Sequence, residues 1–162
     1  IGFAGGPEKC RYVTEELSFD ACIDYKSEST HEGLSKRLKE AAPNGVDGYF
    51  ENVGGAVMNA VLPRVNTYGR IALCGLIAGY DGQPIPMENP TWFLISRLTM
   101  QGFIVTEHMD VWPEALKELG EHVAAGRIKY RETIARGIEN APQAFLGMLK
   151  GANFGKQLVK LA

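Results

Sequence analysis

Three places in this sequence put glycine where a strand would stop: Gly5-Gly6, Gly54-Gly55 and Gly75. In an open α/β sheet, ligands sit beyond the carboxyl ends of the strands. Glycine there lets a ligand approach the backbone closely. Any one of these sites could be a plain turn, but three in successive units point to a ligand crevice. Lys9 and Arg11 follow the first pair, and no acid stands at that strand tip. An acid there would hold a free ribose 2′-hydroxyl; cations in its place suit a 2′-phosphate, and so NADP rather than NAD. A solvated first helical turn, with Glu8 offsetting Lys9, is the competing reading of the same residues.

Further along, Asn52 closes an apolar strand, where its amide could bond a ligand amide or hydroxyl. Tyr80 lies in a loop after a later strand, placed to donate a hydrogen bond to a carbonyl oxygen or an enolate. A loop tyrosine more commonly packs or faces solvent. His31, His108 and His122 show no metal-ligand spacing, and each reads as a surface residue. The three cysteines, Cys10, Cys22 and Cys74, are an odd number without a C-x-x-C pair. That argues against a disulfide scaffold or structural zinc and for a reducing, cytoplasmic setting.

Composition sets the outer bounds. At 162 residues and 45% hydrophobic, the chain suits one domain of ordinary size. A net charge of −2 argues against a nucleic-acid domain held by bulk electrostatics. The 22% charged fraction argues against disorder. No apolar run reaches the ~18–20 residues of a membrane span, and no signal segment opens the chain. The start at Ile1, with no initiator Met and within an expected strand, reads as a fragment.

The elements that position these residues alternate. Strands are expected over 1–4, 19–25, 46–53, 68–75 and 98–105. Helices are expected after Pro7, over 29–42 with Leu34 and Leu38 on one face, over 56–65 with a kink at Pro63, over 94–97 and from Trp112 to Ala125. Alternation with mostly apolar strands is the pattern of a doubly wound parallel α/β sheet. After Gly126 the pattern changes to a polar strand over 129–134, a helix over 140–149 and a last strand over 155–161. That tail reads as part of another structural unit. A dinucleotide fold also needs a strand followed by G-x-G-x-x-G, and this chain has no such motif. Either the fold binds no dinucleotide or that unit lies upstream of Ile1.

Six stretches now stand in a telling order: Ala4-Gly5-Gly6-Pro7-Glu8-Lys9, Asp24-Tyr25-Lys26, 49–55 (Tyr-Phe-Glu-Asn-Val-Gly-Gly), 69–75, Gly102-Phe103-Ile104-Val105 and Gly151-Ala152-Asn153-Phe154-Gly155-Lys156. The series resembles the zinc-independent medium-chain dehydrogenase/reductases, in particular the prostaglandin reductase and alkenal/one oxidoreductase group. The resemblance covers essentially the whole chain. It implies a Rossmann-like domain over 1–126 that lacks its first strand and glycine-rich loop. Residues 127–162 would then return into a catalytic domain. The activity implied is NADPH-dependent reduction of the carbon–carbon double bond of small-molecule enals and enones.

By the same resemblance, Lys9 and Tyr25 contact the 2′-phosphate and Asn52 lines the groove. The stretch from Cys74 and Gly75 to Tyr80 wraps the ribose and nicotinamide. Phe103, Ile104 and Val105 hold the nicotinamide end, and Asn153 closes on the cofactor from the tail. Tyr80 is the catalytic candidate, near the substrate carbonyl. A homodimer formed by pairing of the strand at 98–105 is implied, with neither nucleic acid nor membrane as partner. Without the central strand, those at Ile1 and Val46 lack their common neighbour, so weak NADPH binding and no turnover are expected of the fragment alone. A non-catalytic nucleotide-binding or assembly module on the same fold is the alternative. An S-adenosylmethionine methyltransferase shares the α/β pattern, but Gly5-Gly6-Pro7 followed by Lys9 counts against it.

Overall fold

Gly2-Phe3-Ala4 runs straight into glycine and proline, so the first strand, β1, is short (Gly2–Ala4). The structure, a computed structural model, describes residues 1–28 and 30–161. Gly6 takes φ +102, a conformation that favours glycine. Pro7 then opens α1 (Pro7–Arg11), at a position where its missing N–H costs nothing. The helix widens into a π-helical turn over Tyr12–Glu16. Phe19 N–H still bonds the Val13 carbonyl at 3.1 Å, so residues 19–21 belong to the helix exit rather than to the next strand. β2 is therefore only Cys22–Asp24, parallel to β1 with Phe3 opposite Ile23.

Ser29, expected to open the next helix, lies outside the described residues. α2 spans His31–Ala41. Thr30 Oγ1 caps it by accepting from Gly33 N–H at 3.2 Å, a contact worth about 1 kcal/mol. Leu34 and Leu38, one turn apart, are 1% and 2% exposed. They meet Val57, Ala60 and Val61 of α3 (Gly55–Val61) in one apolar cluster. Full burial of each such side chain is worth about 1.5–3 kcal/mol, so the α2–α3 contact is a main anchor of this part of the chain.

Pro63 ends α3 rather than kinking it: a 3-10 turn over Leu62–Arg64 leads directly into β4 (Val65–Leu73). The strand expected to begin at Tyr68 begins at Val65 because a bulge precedes its regular part. Val46 pairs with Val65, but Gly48 pairs with Arg70. Tyr68 sits in that bulge at φ +66, its ring 4.9 Å from the Arg97 guanidinium carbon. β3 (Val46–Glu51), β4 and β5 (Thr99–Gly102) form a parallel sheet in that order. α4 (Thr91–Ile95) precedes β5, and Met58, Leu62 and Ile71 form the second apolar cluster.

β1 and β3 belong to separate sheets. A cavity of about 810 Å³ lies between them, lined by Ile1, Phe3, Tyr49 and Phe50 with Leu38 and Val57. This is the arrangement expected of two strands without a common neighbour. The architecture is a Rossmann-like parallel α/β fold.

The chain divides into two compact units, 1–110 and 111–162. The boundary falls ahead of α5 (Trp112–Ala124), whereas the change of sequence pattern comes only after Gly126. In the second unit β6 (Glu132–Arg136) and β7 (Lys156–Lys160) pair in parallel around α6 (Ala141–Leu149). Thr133 Oγ1 both donates to the Phe154 carbonyl and accepts from its N–H, at 2.8 and 3.0 Å.

Candidate functional site

The turn from β1 to α1 is built around Asp24, the last residue of β2. Its Oδ1 accepts from Gly6 N–H at 2.8 Å and from Lys26 N–H at 2.9 Å. The Gly6 N–H is the main cause holding the Asp24 carboxyl below its usual range; burial opposes it, and the backbone groups of Lys26 and Ser27 and the Arg37 charge add to the lowering. Tyr25 N–H in turn donates to the Ala4 carbonyl at 3.1 Å. A Cβ placed on Gly5 would lie 2.7 Å from Tyr25 Oη and 2.9 Å from Lys26 Cε. The Tyr25 phenol and the Lys26 stem therefore close over bare backbone, with Lys9 on the helical turn that follows. Lys26 escaped the sequence reading; its position next to Tyr25 was the available signal.

A second corner forms at the ends of β3 and β4, and Glu51 is its hub. Along β3, Tyr49 and Glu51 share the inward face while Phe50 is 64% exposed. Glu51 is 0% exposed. Its Oε1 accepts from Val53 N–H at 2.5 Å and Gly54 N–H at 2.9 Å, and its Oε2 accepts from Tyr49 Oη–H at 2.6 Å. Burial first, then this bond to the Glu51 carboxylate, pushes the Tyr49 phenol well above its ordinary range. The backbone continues the clamp: Cys74 and Gly75 N–H reach the Glu51 carbonyl, Ile77 N–H that of Asn52, and Ala78 N–H that of Val53. Asn52 is thereby fixed at the crevice edge with its amide oxygen against Gly75, where a Cβ would collide with it.

The ends of β4 and β5 enclose an open cavity of about 440 Å³, which Cys74, Gly75, Phe103 and Ile104 help to line. Phe103 N–H bonds the Leu73 carbonyl at 3.2 Å, and its ring meets Phe50 edge-on at 6.2 Å. Val105 opens the next 3-10 segment and is 59% exposed. Tyr80 ends the 3-10 turn Ile77–Gly79 and is 69% exposed, so its phenol is free to meet a ligand. The loop beyond it is pinned by Asn59, whose amide donates to the Pro86 carbonyl at 3.1 Å and accepts from Glu88 N–H at 3.2 Å.

The structure thus gathers Asn52, Cys74, Gly75, Phe103 and Ile104 at one corner, continued by Val105 and the Tyr80 loop. It places Lys9 and Tyr25 at another corner of the same unit. Asn153 belongs to the second unit, where its amide donates to the Gly155 carbonyl at 2.6 Å. No helix is long and apolar enough to cross a membrane among the described residues.

Comparisons with known proteins bear on this crevice. The sequence model of the zinc-binding dehydrogenase family matches residues 1–121. The NADPH-dependent curcumin reductase of Escherichia coli (strain K12) is 43% identical over all of this chain and 48% of its own length. Prostaglandin reductase 1 of Rattus norvegicus is 43% identical over 99% of this chain and 48% of its own. Among solved structures, CurA from Vibrio vulnificus in complex with NADPH is 42% identical, with a TM-score of 0.89 over all of this chain and 49% of that one. The chain spans about half the length of the curated relatives it matches.

The family description names zinc. No group of three or more His, Cys, Asp or Glu converges among the described residues. His31 instead faces Glu32 and Glu88, and His122 accepts from Arg127 Nε. The parallel sheet, the glycine-lined strand ends and the matched sequence agree: this chain belongs to the zinc-binding dehydrogenase family.

Proposed function

We propose that this chain is the cofactor-binding part of an NADPH-dependent oxidoreductase that reduces the carbon–carbon double bond of α,β-unsaturated aldehydes and ketones. The observation that carries this reading is the corner where Tyr25 and Lys26 close over Gly5, with Lys9 on the helix that opens from the same turn. A phenol and a cation over bare backbone, with a second cation on the following helix, suit a doubly charged ribose phosphate. The relative solved with NADPH, similar over the whole chain, supports the same reading.

The residues present fit the cofactor. Lys9, Tyr25 and Lys26 would hold the 2′-phosphate, Asn52 and Gly75 the ribose, and Phe103, Ile104 and Val105 the nicotinamide end. When bound, the dinucleotide supplies a hydride to the substrate β-carbon. Charge then develops on the substrate carbonyl oxygen, and Tyr80 Oη–H donates to it, stabilising and finally protonating the enolate.

We extend the proposal to a homodimer paired along residues 98–105, because β5 lies at the edge of its sheet. A cytoplasmic setting is proposed on the three free thiols. The test is NADPH consumption by the full-length reductase across a panel of enals and enones. Turnover that falls on the order of 100-fold in Tyr80→Phe, with NADPH affinity unchanged, supports the reading. NADPH binding without turnover of any enone would leave a non-catalytic nucleotide-binding module instead.

A further inference from the structure

Two of the three thiols meet. Cys10 lies on α1 and Cys22 opens β2, and the Cys22 S–H donates to Cys10 Sγ at 3.1 Å. Both are half-buried, and Cys10 Sγ also lies 4.0 Å from the Ala4 carbonyl. A disulfide needs the sulfurs at about 2.05 Å, so closure asks for a shift of only about 1 Å. Cys74, the third thiol, is exposed at the end of β4 and lies outside this pair. We propose that Cys10 and Cys22 are a reversible redox pair, which a hydroperoxide converts to an intramolecular disulfide.

The hydrogen bond sets the order of events. Burial first, then the bond to Cys10, pushes the Cys22 thiol up to about 12. At neutral pH Cys22 keeps its proton and directs it at the neighbouring sulfur. Cys10 is therefore the sulfur that attacks the peroxide. Its sulfur–oxygen bond forms as the oxygen–oxygen bond breaks; the alcohol (or water) leaves with the Cys10 proton, and Cys10 becomes a sulfenic acid. Cys22 sulfur then attacks Cys10 sulfur. The sulfur–sulfur bond forms, the sulfur–oxygen bond breaks, and hydroxide departs with the Cys22 proton as water. Each sulfur is oxidised by one electron, and the peroxide takes up both.

The crosslink would tie α1, which carries Lys9, to β2, which runs into Tyr25. Its bearing on cofactor affinity rests on the proposed function; the crosslink itself does not, so the two can fail separately. The experiment treats the native chain with dilute hydrogen peroxide, quenches, denatures, alkylates with iodoacetamide and maps tryptic peptides. Cleavage after Lys9, Arg11 and Lys26 leaves Cys10 on a dipeptide and Cys22 on the peptide 12–26. The expected product is that pair joined by a disulfide, with Cys74 still alkylated and both thiols recovered by dithiothreitol. In Cys10→Ser and Cys22→Ser the joined pair is absent. The proposal is overturned if Cys10 and Cys22 both remain alkylated, if Cys10 stops at the sulfinic acid beside a free Cys22, or if the crosslink forms through Cys74.

Discussion

Replacing Glu51 by alanine removes the one acceptor shared by Val53 N–H, Gly54 N–H and Tyr49 Oη–H. Gly54 is buried and Glu51 itself is 0% exposed, so these donors have poor access to water. A buried donor left unpaired costs about 1–3 kcal/mol. Three donors set an upper figure near 9 kcal/mol, but water entering the space left by the side chain recovers part of it. A net loss of about 3–5 kcal/mol is the expectation, roughly half of that upper figure. Against a total of about 5–15 kcal/mol for a domain, that brings unfolding within reach at body temperature. Glu51→Gln keeps one carbonyl acceptor for the backbone pair and should lose only about 1–2 kcal/mol.

Urea denaturation of the wild type and both variants measures the differences. Hydrogen exchange at Val53 and Gly54 locates the damage. A Glu51→Ala variant within about 0.5 kcal/mol of wild type would refute the role of the carboxylate as hub. The same cluster predicts an alkaline limit. The folded-state value of the Tyr49 phenol lies above the ordinary value of 10.0, chiefly through burial and then through Glu51. Its contribution to stability is therefore present below pH 10 and lost as pH rises above it, and Tyr49→Phe should flatten that decline.

Three further outcomes are expected. Asp24 has a folded-state carboxyl value below its ordinary 3.8, so its contribution is present above that pH and lost as pH falls through the lowered value; acid melting curves should be shallower for Asp24→Asn. Asn59→Ala leaves the Pro86 carbonyl and Glu88 N–H without their partner. It should cost about 1–3 kcal/mol in urea and speed proteolysis between residues 80 and 90; a loop as resistant as wild type would count against the pin. Gly5→Ala puts a methyl 2.7 Å from Tyr25 Oη, so the phenol must swing away. Melting should change little, while NADPH affinity should fall.

Much of the frame was legible in the residue pattern because it rests on local signals. Glycine at strand ends, Pro7 at a helix start, the Leu34–Leu38 spacing and alternating apolar runs are each decided within a few residues. Elements that answer to distant partners were less so. The π-helical turn at Tyr12–Glu16 and the bulge that starts β4 at Val65 depend on packing and register, and short-range spacing records neither. Glu51 went unsingled because acids at strand ends are usually exposed. The period-two alternation Tyr49, Phe50, Glu51 carried the signal that it points inward with Tyr49. The Cys10–Cys22 contact is a meeting of a helix with a strand, which their spacing alone could not show.

The account turns on the proposed 2′-phosphate corner, and a cofactor titration tests it most directly. NADPH and NADH are titrated into the protein by calorimetry, alongside Lys9→Ala. A preference for NADPH that drops by roughly tenfold in Lys9→Ala, about 1.4 kcal/mol, with NADH binding unchanged, is the predicted result. Equal affinity for the two cofactors, or a Lys9→Ala variant that keeps the full preference, would contradict it.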